Sequence, residues 1–160
     1  MKHFIIDEFT RSETARQFGI NNQPTLEHLN NIVEFVETLL DPLREAWAIR
    51  CAHEQYGTPM LRVSSGYRSQ ALNAAVKGSA TSSHCIGYAA DIIPLNYHLK
   101  EFKAFCREYL SSRKFDQLIS EAENDLNIPQ WIHIGYKNRD GKQRKQMLSM
   151  KGGEYLQMTK

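Results

Sequence analysis

Ser82-Ser83-His84-Cys85-Ile86-Gly87-Tyr88-Ala89-Ala90-Asp91 (SSHCIGYAAD) runs directly into the apolar stretch Ile92-Ile93-Pro94-Leu95. Small residues lead into the aspartate and isoleucines follow it. The segment 89–93 (AADII) therefore reads as a core strand that opens with an acid. A carboxylate taken into an interior needs a compensating partner. Gly87 lets the backbone turn tightly enough to bring His84 back toward Asp91.

A second histidine lies further along. In 130–136 (QWIHIGY), Ile132, Ile134 and Tyr136 take one face of a strand, and Trp131, His133 and Gly135 take the other. The isoleucines claim the core, so His133 faces a second surface or cleft. Two histidines and one carboxylate make a zinc set, with three protein ligands and an open position for water. Taken singly, His133 reads equally as a satisfied or exposed histidine, and Asp91 as a cap or turn residue. Spacing alone leaves both readings open.

Outward from these segments the chain is helical first and stranded later. Ser12 caps a short helix through about Phe18, and GINNQP breaks the chain. Thr25 caps a long helix carrying Leu26, Leu29, Ile32, Val33, Phe35, Val36, Leu39 and Leu40 at helical spacing. Pro42 starts a second segment or kinks the first, and that segment, with Leu43, Trp47 and Ile49, stops near Gly57. A strand follows at 60–67, then a turn (SGYRS), a short helix from Gln70 to Val76 and a loop to His84. Residues 98–112 form an amphipathic helix. Strands at 115–121 (FDQLISE) and 130–136 come next, and Gly152-Gly153 joins a tail hairpin. The order predicts an α+β fold, an antiparallel sheet with helices packed on one face. The expected organisation is one domain: a helical segment about 10–56, a sheet region about 60–136 and a basic hairpin about 137–160.

The length of 160 residues suits one domain with a sizeable core. A formal net charge of +2 makes no global demand for a nucleic-acid or membrane partner, although the tail from Lys137 to Lys151 is locally basic. No apolar run approaches the ~20 residues of a membrane span. The start, MKHFIIDEFTRSE, does not read as a secretory signal. The expectation is a monomer made in the cytoplasm. Cys51, Cys85 and Cys106 are widely spaced and lack a CxxC pair, against a disulfide framework or a thiolate zinc site. Cys51 and Cys106 read as small core residues. Cys85, in an extended segment, points away from His84.

The pattern S-x-H-x-x-G-x-A-x-D from Ser82 to Asp91 resembles the first zinc motif of the M15 peptidases, which include D-Ala-D-Ala carboxypeptidases and phage endolysins of the Hedgehog/DD-peptidase fold. Trp131-Ile132-His133 resembles the family's second motif. Ser65 to Asn73 is similar to its substrate-binding strand and turn, which carries an arginine, here Arg68. The resemblance extends over nearly the whole chain. It implies Zn²⁺ held by His84, Asp91 and His133, and a peptidoglycan stem peptide as substrate. It implies Arg68 at a substrate carboxylate or carbonyl, Ser82 and Asn73 in hydrogen bonding to substrate or in fixing the loop, and Tyr67 and Trp131 walling the cleft. The chain departs from the pattern at Gln130, where several members carry a glutamate base. Glu121 is the expected substitute and Glu123 the reserve. The alternatives are a non-catalytic zinc-containing wall-binding module and a nucleic-acid binder using the basic tail. A wall enzyme of this kind reaches its substrate through a holin-type release.

Overall fold

A computed structural model describes residues 1–158 of the chain. Six strands, β1 (Leu61–Ser65), β2 (Ala89–Pro94), β3 (Gln117–Glu121), β4 (Trp131–Gly135), β5 (Gln146–Lys151) and β6 (Glu154–Gln157), form one sheet. Their order is β1-β2-β4-β3-β5-β6. The helices are α1 (Ile6–Thr10), α2 (Glu13–Gln17), α3 (Leu26–Phe35), α4 (Asp41–Glu54), α5 (Gln70–Ala75) and α6 (Leu99–Ser111). The fold is α+β, and the tail hairpin forms across Gly152-Gly153 as expected. Residues 159 and 160, the end of the expected hairpin region, lie outside the described residues.

The expectation of an antiparallel sheet is corrected at one place. β3 and β5 run parallel, with Gln117 beside Gln146 and Ser120 beside Ser149. The chain leaves β4, crosses back and pairs with the free edge of β3 instead of continuing a meander. Arg144 pins this crossing. Its Nε and Nη2 donate to Asp116 Oδ1 and Oδ2 at 2.7 and 2.8 Å, and its backbone N–H adds a third bond at 3.3 Å. Asp116 is fully buried, so this two-pronged partner matters more than a surface ion pair would.

Local capping explains the helices. Ser12 Oγ accepts the Ala15 N–H, and Thr25 Oγ1 accepts the His28 N–H, at the two starts read from the sequence. Pro42 falls in the first turn of α4, but α3 and α4 are not separated by a break. A π-helical turn, Val36–Leu40, joins them, and the Asp41 N–H bonds back to Val36 O. The sequence reading did not anticipate α1, which is too short to show periodicity. Asp41 anchors the chain ahead of it by accepting the Lys2 and His3 N–H groups at 2.6 and 2.9 Å.

Helices α3, α4 and α6 share one core with a single face of the sheet. Phe35, Leu43, Trp47, Phe102 and Leu110 pack there with Val63, Ile92, Leu118, Ile132 and Ile134. Because strand side chains alternate, Asp91, Ile119, Glu121 and His133 are left on the opposite face. That face opens into a cleft of about 1240 Å³, to which α5 contributes Leu72. No helix among the described residues is long and apolar enough to cross a membrane.

Candidate metal centre

Strand register assembles most of this site. Asp91 and His133 are direct partners across β2 and β4. On the other side of β4, Ile119 lies opposite His133 and Glu121 opposite Trp131. His84 arrives from a one-turn 3₁₀ helix, Ser83–Ile86. Ser82 Oγ accepts the His84 N–H at 3.3 Å and so starts that turn. Gly87 ends it at φ 79°, in the left-handed region, and an added Cβ would meet the His28 carbonyl oxygen at 2.6 Å. Both backbone angle and space therefore call for glycine. Cys85 lies within this 3₁₀ turn rather than in the extended segment expected, and its buried thiol stays outside the ligand cluster.

Three ligand atoms converge. His84 Nε2 is 3.2 Å from His133 Nδ1 and 3.3 Å from Asp91 Oδ1, and His133 Nδ1 is 3.0 Å from Asp91 Oδ1. Ligands at zinc distances in a tetrahedron stand about 3.3 Å apart, so this triangle has the dimensions of one tetrahedral face. All three side chains are buried. His84 Nδ1 lies 2.6 Å from the Gly66 carbonyl oxygen. A carbonyl only accepts, so Nδ1 carries the proton and Nε2 presents its lone pair to the cluster. Burial lowers the His84 pKa, which favours the neutral ring. Burial also acts to raise the Asp91 carboxyl, but the imidazoles of His84 and His133 outweigh it and hold the group well below the usual carboxylate range. A neutral imidazole beside a carboxylate is the protonation pattern a metal requires.

Arg68 is tied into this cluster. Its Nη2 donates to Asp91 Oδ2 at 3.0 Å, its Nε to Ser65 Oγ at 3.0 Å and its Nη1 to Asn73 Oδ1 at 3.4 Å. Asn73 is buried and donates onward to the Ser79 carbonyl at 2.9 Å. It therefore holds the loop before His84. Ser82 is likewise engaged with the His84 backbone. Tyr67 packs on His28, with ring centroids 4.9 Å apart, and lines the cleft with Trp131.

The two candidate acids separate cleanly. Glu121 is buried and lines the cleft. Burial raises its pKa against the opposing pull of His133 and Arg68. Glu123 instead receives Lys103 Nζ at 2.5 Å, with side chains 13% and 4% exposed, and lies outside the cleft lining. Gln130 is exposed and also outside that lining. The sequence reading passed over Gly66, whose carbonyl sets the His84 tautomer. Its position in the turn SGYRS was the available signal. It also passed over Tyr155, which lines the cleft from β6 and carries no local signal.

A family model described as Peptidase M15 matches residues 2–134, most of the chain and every residue of the cluster. The chain belongs to the M15 peptidase family, whose members are zinc-dependent. No curated protein matches it.

Proposed function

We propose that this chain is a zinc-dependent peptidase that hydrolyses peptide bonds in the stem peptide of peptidoglycan, on a fold of the Hedgehog/DD-peptidase type. The observation that carries this is the convergence of His84 Nε2, Asp91 Oδ1 and His133 Nδ1 in a cleft that also holds Glu121. These three side chains would hold the zinc. The ion supplies Lewis acidity toward water and toward the scissile carbonyl.

The remaining work falls to the chain. Glu121 takes a proton from the attacking water on a carboxylate oxygen as the water oxygen adds to the carbonyl carbon. It returns that proton to the amine as the C–N bond breaks. Arg68 holds Asp91 through one N–H and uses two more on Ser65 and Asn73. Of the five N–H groups on a guanidinium, two remain for a substrate carbonyl or carboxylate. Tyr67 and Trp131 wall the cleft.

The cleft also bears on the substrate. At about 1240 Å³ it exceeds the roughly 300–1,000 Å³ of small-molecule sites, which favours an extended peptide and endopeptidase-type cleavage. Arg11, Arg62 and Lys77 line it without an ion-pair partner among the described residues, which suits a peptide rich in carboxylates. The test is digestion of purified peptidoglycan by wild type, chelator-treated wild type, His84→Ala and Glu121→Ala, with products read by mass spectrometry. New amine termini from the zinc-loaded wild type alone are expected. Their absence from that sample would overturn the reading.

A further inference from the structure

The C-terminal hairpin lies beyond the residues matched to the family, yet it reaches the site. Its register decides what it presents. Ile119 lies beside Leu148 across β3 and β5, and Met150 lies opposite Tyr155 across β5 and β6. The Glu123 N–H bonds to Met150 O just past the end of β3, continuing the pairing toward Glu121. With side chains alternating, Glu121, Met150 and Tyr155 fall in one row on the cleft face. Two strand spacings of about 4.8 Å separate β3 from β6. That span lies within the combined reach of a tyrosine and a glutamate side chain, and the Glu121 charge adds to burial in raising the Tyr155 hydroxyl pKa. Both residues line the cleft with Leu148 and Met150.

We propose that Tyr155 is a positioning residue for Glu121, a role that rests on the reading of Glu121 as the base. Its hydroxyl donates to one carboxylate oxygen and leaves the other free to receive the proton of the attacking water. Glu121 needs such a partner. It stands at the last position of β3, where backbone pairing holds the main chain but not the carboxylate. Among the described residues no other side chain donates a hydrogen bond to its carboxylate, and the Glu121 main chain is engaged through its carbonyl with the Gln130 N–H. The Tyr155 ring is 57% exposed, so it also offers the incoming peptide a surface beside Met150. The hairpin then does more than extend the sheet, since it completes the wall of the cleft on the side away from Arg62.

The experiment compares full-length, zinc-loaded wild type, Tyr155→Phe and Tyr155→Ala on a synthetic stem peptide. Calorimetric binding of the same peptide to Glu121→Gln is measured with and without Tyr155→Phe. Loss of one orienting hydrogen bond predicts a fall in kcat of about tenfold for Tyr155→Phe, with KM within about twofold. Tyr155→Ala lowers kcat equally and raises KM as the ring surface is lost. Peptide binding to Glu121→Gln is unchanged by Tyr155→Phe. A Tyr155→Phe enzyme with wild-type kcat, or one altered only in KM and binding, would overturn the role of Tyr155 and leave the peptidase reading standing. A wild type that releases no amine would overturn both.

Discussion

His84 and Gly66 are joined by a hydrogen bond of 2.6 Å, ring Nδ1 to carbonyl oxygen, and that bond decides which histidine nitrogen faces Asp91. Gly66 is itself held by close approach. A Cβ there would stand 2.4 Å from the Phe9 carbonyl oxygen and 2.5 Å from its Cα, both backbone atoms that cannot swing aside. Gly66→Ala therefore pushes β1 away from α1 and moves the carbonyl that orients His84. The expected outcome is a lower melting temperature together with zinc affinity weakened by about 10–100-fold. A chelator-competition titration beside a thermal melt checks both. Unchanged zinc affinity in a destabilised variant would separate the carbonyl from the ligand.

Glu121→Gln is expected to lose activity and gain stability. Burial raises the folded-state pKa of Glu121 above its unfolded value. Ionisation therefore opposes folding of the metal-free protein at neutral pH. The penalty is absent below the unfolded pKa of about 4.3, grows as pH rises toward the folded pKa and is full above it. Metal-free Glu121→Gln should withstand more urea than wild type at pH 7, with the difference closing near pH 4. Its turnover should fall by about 100-fold or more. Equal urea midpoints at pH 7 would contradict the sign.

Arg68→Lys tests geometry apart from charge. Lysine keeps a cation near Asp91 but cannot reach Asp91, Ser65 and Asn73 together as the planar fork does. Turnover is expected to fall by about tenfold or more with Lys, and further with Ala, as Asp91 and the loop before His84 lose their common tether. Steady-state kinetics and zinc titration on both variants provide the check, and a fully active Arg68→Lys would sink the argument.

The Lys103–Glu123 pair makes an acid-stability prediction remote from the cleft. Burial alone would raise Glu123, but the Lys103 ammonium beside it outweighs burial, and the carboxyl lies below its ordinary value. A depressed folded pKa gives a contribution that is full above the unfolded pKa of about 4.3 and is lost as pH falls through the folded one. Lys103→Met leaves a buried unpaired carboxylate and should destabilise by about 3 kcal/mol at pH 7. The deficit should shrink near pH 3, where Glu123 can be protonated. Urea melts at the two pH values measure it.

The parts legible in the sequence were those with a local cause. Ile132 and Ile134 alternate with His133, and that alternation alone placed the histidine on the cleft face. Gly87 announced the turn between His84 and Asp91, and Gly152-Gly153 announced the last hairpin. The missed features depend on partners far along the chain. The parallel pairing of β3 with β5 is held by Asp116 and Arg144, and nothing in either segment states the direction in which they meet. The bond from Arg68 to Asp91 joins residues 23 positions apart and leaves no local trace. A single 3₁₀ turn is too short to leave a periodic trace, so the turn that holds Cys85 is not visible in the residue pattern.

The parallel seam between β3 and β5 divides the sheet by obligation. Strands β1, β2, β4 and β3 are contiguous in the sheet, hold Asp91, His133 and Glu121, and lie almost wholly inside the matched region. The hairpin beyond the seam touches the cleft with Leu148, Met150 and Tyr155, but supplies no member of the three-residue cluster. Substitutions in β5 and β6 can therefore alter what the cleft accepts without disturbing the ligand triangle. The fold thus separates a half that holds the ligand triangle from a margin that shapes the room beside it.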